Sequence, residues 1–336
     1  MLRKPESAKK LTGVILKLNL LALVIASLLW FFLEIPLLEQ LPGVYRTIFH
    51  KTLYPVEKHP ARGVPYVHYP ETGKQYNPLF IANQICLDAK TPENAGSKQR
   101  FLICSDWLYQ HAVISNDKAL FPYEFDYKAY KLKKPWYSAL AQAKIMNALF
   151  CRYELEHDKY WLELSGKSLK SLVPNDSLGI SHGLKPDGIW FQEYPGQPRS
   201  FVLNGMMETL LELMKYHQTT SDSLALHLFE RGYLALLDKL PEFDSFGGSR
   251  YDLLGNITSM SYHRMHIRQL KELSALRQHP VLQRYIRRWT IYCFIPAPIQ
   301  LIFNFKLRRF LAFSFIWLCI SAIELILLMI IKTKST

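Results

Sequence analysis

The sequence predicts a mainly α-helical fold, an incomplete α/α toroid (an open α/α barrel) of helical hairpins with short β-hairpin loops, carrying transmembrane helices in addition. Three observations carry that prediction. Apolar residues recur at helical spacing in eight stretches, loops rich in Pro, Gly and Asn separate the stretches, and two runs outside them are apolar throughout. A chain of 336 residues with 49% hydrophobic content has enough apolar material for one sizeable body.

Residues 1–17 read as a basic tail containing Arg3, Lys4, Lys9 and Lys10. Residues 18–38, LNLLALVIASLLWFFLEIPLL, hold a single acid, Glu34, and are long enough to cross a hydrocarbon core of about 30 Å as a helix. The run exceeds a usual signal-peptide core and no small-x-small cleavage site follows it, so an uncleaved anchor is expected. Residues 39–62 read as a linker. The body, residues 63–289, contains the eight periodic runs: Tyr76–Ala89, Ser97–Val113, Pro135–His157, Lys159–Leu172, Phe201–Tyr216, Ser221–Leu240, Tyr262–Leu276 and Pro280–Trp289. Ser221, in the polar turn HQTTSD, is expected to cap the sixth. Asn116–Lys134, Leu178–Gln197 and Pro241–Ser261 read as non-helical. The last two fall on the same side of a hairpin ring, where a cleft would form.

Beyond the body, residues 290–305 carry Pro296 and Pro298 and are expected to dip into a membrane or lie at its interface. Residues 310–331 contain one acid, Glu324, and are expected to cross it. The net charge of +13 belongs to these flanks. Residues 264–336 hold twelve Lys and Arg against two acids, residues 1–10 hold four against one, and residues 11–263 carry no net charge. A basic surplus beside apolar runs sets membrane orientation and attracts anionic headgroups, so nucleic acid is not expected as a partner. The amino-terminal basic residues place that end in the cytoplasm and the body outside. Lys306, Arg308 and Arg309 ahead of the last span pull the other way, unless a carboxy-terminal hairpin keeps their turn cytoplasmic.

The five cysteines, Cys86, Cys104, Cys151, Cys293 and Cys319, show neither a disulfide framework nor a CxxC metal pattern. His263 and His266 stand three apart at a helix start, a spacing that also suits a metal pair. No third ligand at useful spacing supports zinc, and no metal or other cofactor is expected.

The motifs with chemical content are Glu193–Gly205 (EYPGQPRSFVLNG), Phe229–Gly232 (FERG), Tyr251–Leu253 (YDL) and Tyr262–Ile267 (YHRMHI), preceded by GVPYVHYP from Gly63, SDWL at Ser105–Leu108 and PWYSALAQ at Pro135–Gln142. In this order, and over residues 63–289, they resemble the D-glucuronyl C5-epimerase family, in a short form. The β-rich domain that animal members insert before SDWL is absent, and Leu254 stands where the family has Arg.

The resemblance implies inversion at C5 of D-glucuronate within a polysaccharide, giving L-iduronate. That reaction removes a proton alpha to a carboxylate and returns one to the opposite face. It needs two proton-transfer groups and donors for the enediolate between them. Glu193, Tyr194, Tyr251 and Tyr262 are the candidate catalytic residues. A tyrosine's high pKa makes the phenol a competent donor and the phenolate a strong base. Glu193 and Tyr262 are the favoured two-face pair, with Tyr194 and Tyr251 polarising the uronate, and a pairing that uses Tyr194 stays open. Candidate substrate-binding residues are Arg250, His263, His266, Asn204, Tyr137 and Trp136, the first two because Leu254 replaces the family Arg. The expected partners are a heparosan-like acidic polysaccharide and a membrane, with the body on its non-cytoplasmic side. The sequence sets no oligomeric state. A uronate lyase would remove the same C5 proton, and a non-catalytic glycan-binding protein would need only the aromatic residues.

Overall fold

The computed structural model describes residues 6–49, 55–60, 63–174, 178–303 and 305–334. Parts of the amino-terminal tail and of the 39–62 linker therefore lie outside the described residues.

A long helix, α1 (Glu6–Phe49), leads into a three-stranded antiparallel sheet of β1 (Val56–Lys58), β2 (Tyr66–Tyr69) and β3 (Gly73–Gln75). The body follows as four helical hairpins. They are α2 (Pro78–Asp88) with α3 (Ala95–Gln110), then, after the hairpin β4 (Val113–Ser115) and β5 (Lys118–Leu120), α4 (Ala139–Glu156) with α5 (Lys159–Ser171). The hairpin β6 (Ser181–Leu184) and β7 (Gly188–Phe191) leads to α6 (Leu203–Thr220) with α7 (Ser223–Lys239). The two-residue strands β8 (Asp244–Ser245) and β9 (Gly248–Ser249) lead to α8 (Met260–Leu276) with α9 (Pro280–Tyr292). A short α10 (Ala297–Phe303) and a long α11 (Leu307–Lys334) close the described chain.

Helices α2, α4, α6 and α8 pack side by side in that order, and α3, α5, α7 and α9 each pack outside the helix they follow. This is the inner-and-outer arrangement of an α/α toroid. No comparable packing joins α8 back to α2 among the described residues, so the ring is open. Two apolar cores fill it. One runs from α4 to α9 around Trp190, Phe229, Phe243 and Trp289, and the other lies among α2 to α5 around Ile81, Ile85, Leu108 and Ile145.

Seven of the eight ring helices begin at a side chain that accepts from a first-turn N–H. The cap of α7 is Asp222, whose Oδ1 accepts from Ala225 N at 3.0 Å, not Ser221 as expected. Ser221 sits instead at φ 58°, the left-handed residue that ends α6. Helix α4 starts four residues after Pro135. Trp136 is held in a β-bridge to Tyr123, and Ser138 becomes the cap. Gln142, at the end of the PWYSALAQ motif, is fully buried. Its side chain accepts from Phe121 N at 3.0 Å and donates to Ala119 O and Ser171 Oγ, tying α4 to β5 and α5.

Two stretches, Gly13–Glu34 of α1 and Arg309–Ile331 of α11, are long and apolar enough to cross a membrane. The two helices pack together, with Trp30 edge-on to Phe313 at 5.6 Å. Glu34, ending the first stretch, pairs with Arg309, starting the second, at 2.7 Å, so the two run antiparallel. Residues 290–305 are not one segment. Thr290–Tyr292 complete α9, and the seven residues of α10 rise only about 10 Å, too short to cross.

Replacing Gln142 by Leu leaves the Phe121 N–H and Ala119 carbonyl buried without their partner. The expected loss is about 2–4 kcal/mol in a denaturant melt, against less than about 1 kcal/mol for an exposed control such as Lys98→Gln.

Candidate active site

A cleft of about 540 Å³ opens at one end of the ring. Each inner helix contributes residues from its first three turns: Asn83 from α2, Lys144 from α4, Asn204 and Glu208 from α6, and Tyr262, Arg268 and Gln269 from α8. Four helix amino-terminal ends therefore converge on one space. Their partial positive charges favour an anion there.

The remaining wall is aromatic. Tyr123 stacks on Trp136 at 3.9 Å, and Tyr130 stacks on Tyr194 at 4.3 Å, with Tyr127 between the two pairs. Tyr69, on the same wall, accepts from Asn77 Nδ2 at 2.9 Å, and burial pushes its hydroxyl up to about 12. Gly196 brings the Glu193–Gly205 loop against this wall. A Cβ there would stand 2.7 Å from the Tyr130 carbonyl oxygen.

Glu193 is 7% exposed, at the exit of β7. Its carboxyl lies over the first turn of α6, the one ring helix whose cap, Val202, offers no side-chain acceptor. Gly205 makes this approach possible, since a Cβ would lie 2.9 Å from the Glu193 Cβ. Burial raises the carboxyl from 4.5 to about 7, against the opposing pull of a hydrogen bond with Tyr194. The hydroxyls of Tyr194, Tyr251 and Tyr262 are all raised by burial and, next, by the charge of Glu193. The four expected catalytic residues thus share one electrostatic environment. Tyr262 stands at the cleft mouth, 39% exposed, with its ring edge-on to Tyr251 at 5.4 Å.

The YDL segment is shaped by Asp252, which is fully buried. It accepts from the N–H groups of Leu254 and Asn256, from Asn256 Nδ2 at 2.7 Å and from the Tyr130 hydroxyl at 2.8 Å. Tyr251 N also donates to Asn256 O, and its carbonyl accepts from Leu203 N at the start of α6. Asp252 therefore fixes Tyr251 from one side and Tyr130, under Tyr194, from the other.

Of the expected binding residues, Asn204 and Trp136 line the cleft. Buried Asn204 Oδ1 has no partner among the described residues, whereas Trp136 donates to Phe125 O and is largely packed as wall. Tyr137, the next residue along, packs into the opposite core. Arg250 lies in the strand bridge to Ile257 behind the cleft. His263 and His266 face inward, both bonded at 2.9 Å to Ser249 Oγ. His263 Nε2 donates to Trp289 O, so its Nδ1 accepts from the Ser249 hydroxyl, and His266 Nδ1 must donate to that same oxygen. Burial lowers them to about 4 and about 3, so both are neutral at pH 7. None of Tyr137, Arg250, His263 and His266 lines the cleft.

The cations at the cleft are instead Lys144 and Arg268. Burial would lower the Lys144 ammonium, but Glu212 and Glu208 on α6 outweigh it and hold the group charged. Gln269 donates to Glu208 and to Asn204 O, joining α8 to this cluster. Arg268 is largely exposed and has only a long contact, 3.6 Å, to Glu272.

Residues 115–291 match the D-glucuronyl C5-epimerase C-terminus family, a stretch that covers half the chain and holds Glu193 and all three candidate tyrosines. The chain belongs to that family. It is 31% identical over 217 residues to the D-glucuronyl C5-epimerase of Caenorhabditis elegans, covering 58% of this chain and 35% of that protein. It is 28% identical over 219 residues to an uncharacterized protein of Methanocaldococcus jannaschii, covering 60% and 70%. The chain thus spans about a third of the nematode relative's length. Among solved structures it is similar to cellobiose 2-epimerase from Spirochaeta thermophila, with a TM-score of 0.49, 12% identity and coverage of 72% of this chain and 65% of that one. It is also similar to a D-mannose isomerase, with a TM-score of 0.46, 12% identity and coverage of 65% and 59%.

The raised Glu193 value has a stability consequence. The folded state binds that proton more tightly than the unfolded state, so its contribution is fully present below about pH 4.5 and is lost as pH rises through about 7. The loss is on the order of 3 kcal/mol. Glu193→Gln keeps the shape without the charge. Its melting temperature is expected to exceed that of the wild type at pH 8 and to converge with it at pH 5, whereas an equal difference at both pH values would contradict a desolvated carboxyl. Gly205→Ala is expected to destabilise the protein by about 1–3 kcal/mol in a denaturant melt, because Glu193 must move.

Proposed function

We propose that the cleft epimerises C5 of D-glucuronate residues in a heparosan-like polysaccharide, giving L-iduronate. The observation that carries this reading is Glu193, a buried carboxyl held near pH 7 among three high-pKa tyrosines. At that pH a carboxyl is available both as base and as acid.

Ionised Glu193 takes the C5 proton, leaving an enediolate on C5, C6 and the carboxylate oxygens. The Tyr262 phenol returns a proton to the other face of C5, and the phenolate and protonated Glu193 re-equilibrate with solvent. Tyr194 is hydrogen-bonded to Glu193 and so approaches the sugar from the Glu193 side. This favours Tyr262 for the opposite face. Tyr194 and Tyr251 donate to the developing enediolate, while Arg268 and the four helix amino-termini offset the substrate carboxylate. The aromatic wall gives sugar rings a surface to stack on.

The antiparallel pair α1 and α11 reads as a two-helix membrane anchor, with both helix ends distal to the Glu34–Arg309 pair on one face and the body on the other. Lys9 and Lys10 lie toward the distal end in sequence, as do Lys332 and Lys334. At the body end Arg309 is paired with Glu34, while Lys306, which donates to Ile257 O, and Arg308 count as basic. With Arg3 and Lys4 counted beside the distal lysines, the larger basic surplus is distal, which supports a cytoplasmic distal end and a cleft outside it.

The test incubates the full chain with heparosan in deuterated water and follows C5 by NMR. Deuterium uptake with iduronate is expected. Glu193→Gln and Tyr262→Phe should each lose about 10²–10⁴-fold in rate, and wild-type kcat/KM should fall as pH drops below about 7 and Glu193 protonates. Absence of both exchange and iduronate sinks the proposal for this polymer. Exchange with chain cleavage and a 4,5-unsaturated chromophore identifies a lyase, and polymer binding without exchange identifies a glycan-binding protein.

A further inference from the structure

Helix α8 carries one wall of the cleft, and a second hollow adjoins the same helix. This hollow, of about 570 Å³, lies between α1, α8 and the α9–α10 turn. Its walls are mostly apolar, formed by Leu23, Leu28 and Phe31 of α1 against Phe294, Pro296 and Ile299, with Ser27, Gln300 and Glu34, the last paired with Arg309, among the lining. On α1 it extends from Leu23 to Glu34, about 17 Å along a helix, which matches the hydrocarbon depth of one leaflet.

The hollow is not uniformly apolar. Arg264 of α8 stands at its wall, the guanidinium 5.6 Å from the centre of the Phe31 ring. A shallower depression continues from it past Phe31, Arg264 and Phe294 to Arg268 and Lys271. Arg264, Arg268 and Lys271 are spaced by four and three residues, so they share one face of α8. Neither Arg264 nor Lys271 forms an ion pair among the described residues, and Arg268 also lines the catalytic cleft. An apolar slot one leaflet deep, a row of cations at its edge and a cleft reached at the middle of that row, at Arg268, match three parts of one amphiphile. They are a hydrocarbon chain, an anionic phosphate and a glycan attached to it.

We infer that the hollow seats the hydrocarbon chain of a phosphate-linked glycolipid, with Arg264 and Lys271 holding the phosphate and the glycan entering the cleft past Arg268. The lipid part stands on the hollow and its cations. The glycan part rests on the epimerase reading above. A polymer free in water gains nothing from an apolar slot, whereas a lipid-held chain is delivered at the cleft mouth.

The test uses the full chain in phosphatidylcholine nanodiscs with a long-chain polyprenyl phosphate as probe, and retention is read by native mass spectrometry. Preference over the corresponding polyprenol is expected to be about tenfold or more, and Arg264→Ala with Lys271→Ala should remove about that factor. Both residues are exposed, and deuterium exchange on a soluble heparosan oligosaccharide should be unchanged in the double variant. Equal retention of phosphate and alcohol, or retention unaffected by the double variant, overturns the inference. Displacement by inorganic phosphate at equal concentration reduces the site to a bare anion site, and equal displacement by phosphatidylglycerol makes it a general anionic-lipid contact; each overturns it. If soluble substrate shows no exchange in the wild type, the epimerase reading fails while lipid retention is still measured. If exchange persists without selective retention, only the glycolipid inference fails.

Discussion

The contact between the Glu193 carboxyl and the first turn of α6 is the constraint on which the rest of the site depends. It requires a residue without a side chain at Gly205, a chain exit from β7 that points the carboxyl at the helix end, and a cap position, Val202, that does not compete for it. It also requires water to be kept away, since only a desolvated carboxyl reaches about pH 7. The stacked aromatic wall supplies that exclusion, and Asp252 holds the wall and Tyr251 in register through four hydrogen bonds. A buried acid is costly to fold around. The two helical cores offset that cost, and one of them includes Tyr123, Phe125 and Trp136 of the wall, with Tyr194 packed against it.

All eight ring helices were legible from their period, because each buries one continuous stripe, and the three interruptions fell where the loops lie. Helix ends were less legible. Ser221 and Asp222 are both competent caps by residue type. The choice between them turns on which adopts the left-handed conformation ending α6, and that is settled by how α6 and α7 fold back on each other. Likewise Pro135–Ser138 carries a helical pattern, but the bridge from Tyr123 to Trp136 captures it. Residues 290–305 read as one apolar segment because composition does not reveal that α9 ends inside it.

The four residues carried by the motifs line one cleft, whereas the expected binding residues Arg250, His263 and His266 do not. For the two histidines, position on α8 explains the difference. Tyr262, Met265, Arg268 and Gln269 stand at positions i, i+3, i+6 and i+7 along the cleft face. His263, His266, Ile267 and Leu270 stand at i, i+3, i+4 and i+7 on the buried face. A histidine beside the candidate tyrosine Tyr262 in sequence is therefore about 100° away around the helix, and the period already separates the two faces. Lys144 left no comparable trace. Its chain position, two residues past the PWYSALAQ motif, is that of an ordinary helix residue, and its importance arises only when α4 meets Glu208 and Glu212 on α6.

That cluster bears on how the anionic polymer proposed as substrate would be held. Lys144 faces two carboxylates, so the fixed groups on this wall are balanced or slightly negative before Arg268 is counted. Residues 11–263 carry no net charge, whereas residues 264–289 hold seven Lys and Arg against one acid, so the body's positive field is confined to the α8–α9 side. Beside that side, attraction acts at short range through the four converging helix ends and Arg268. Short-range forces falter against a polymer diffusing freely at high salt, where surface charge is screened within about 8 Å. They are sufficient when the substrate is already confined beside the cleft, and the cation row of α8, running from the apolar hollow to Arg268, lies where such confinement would act.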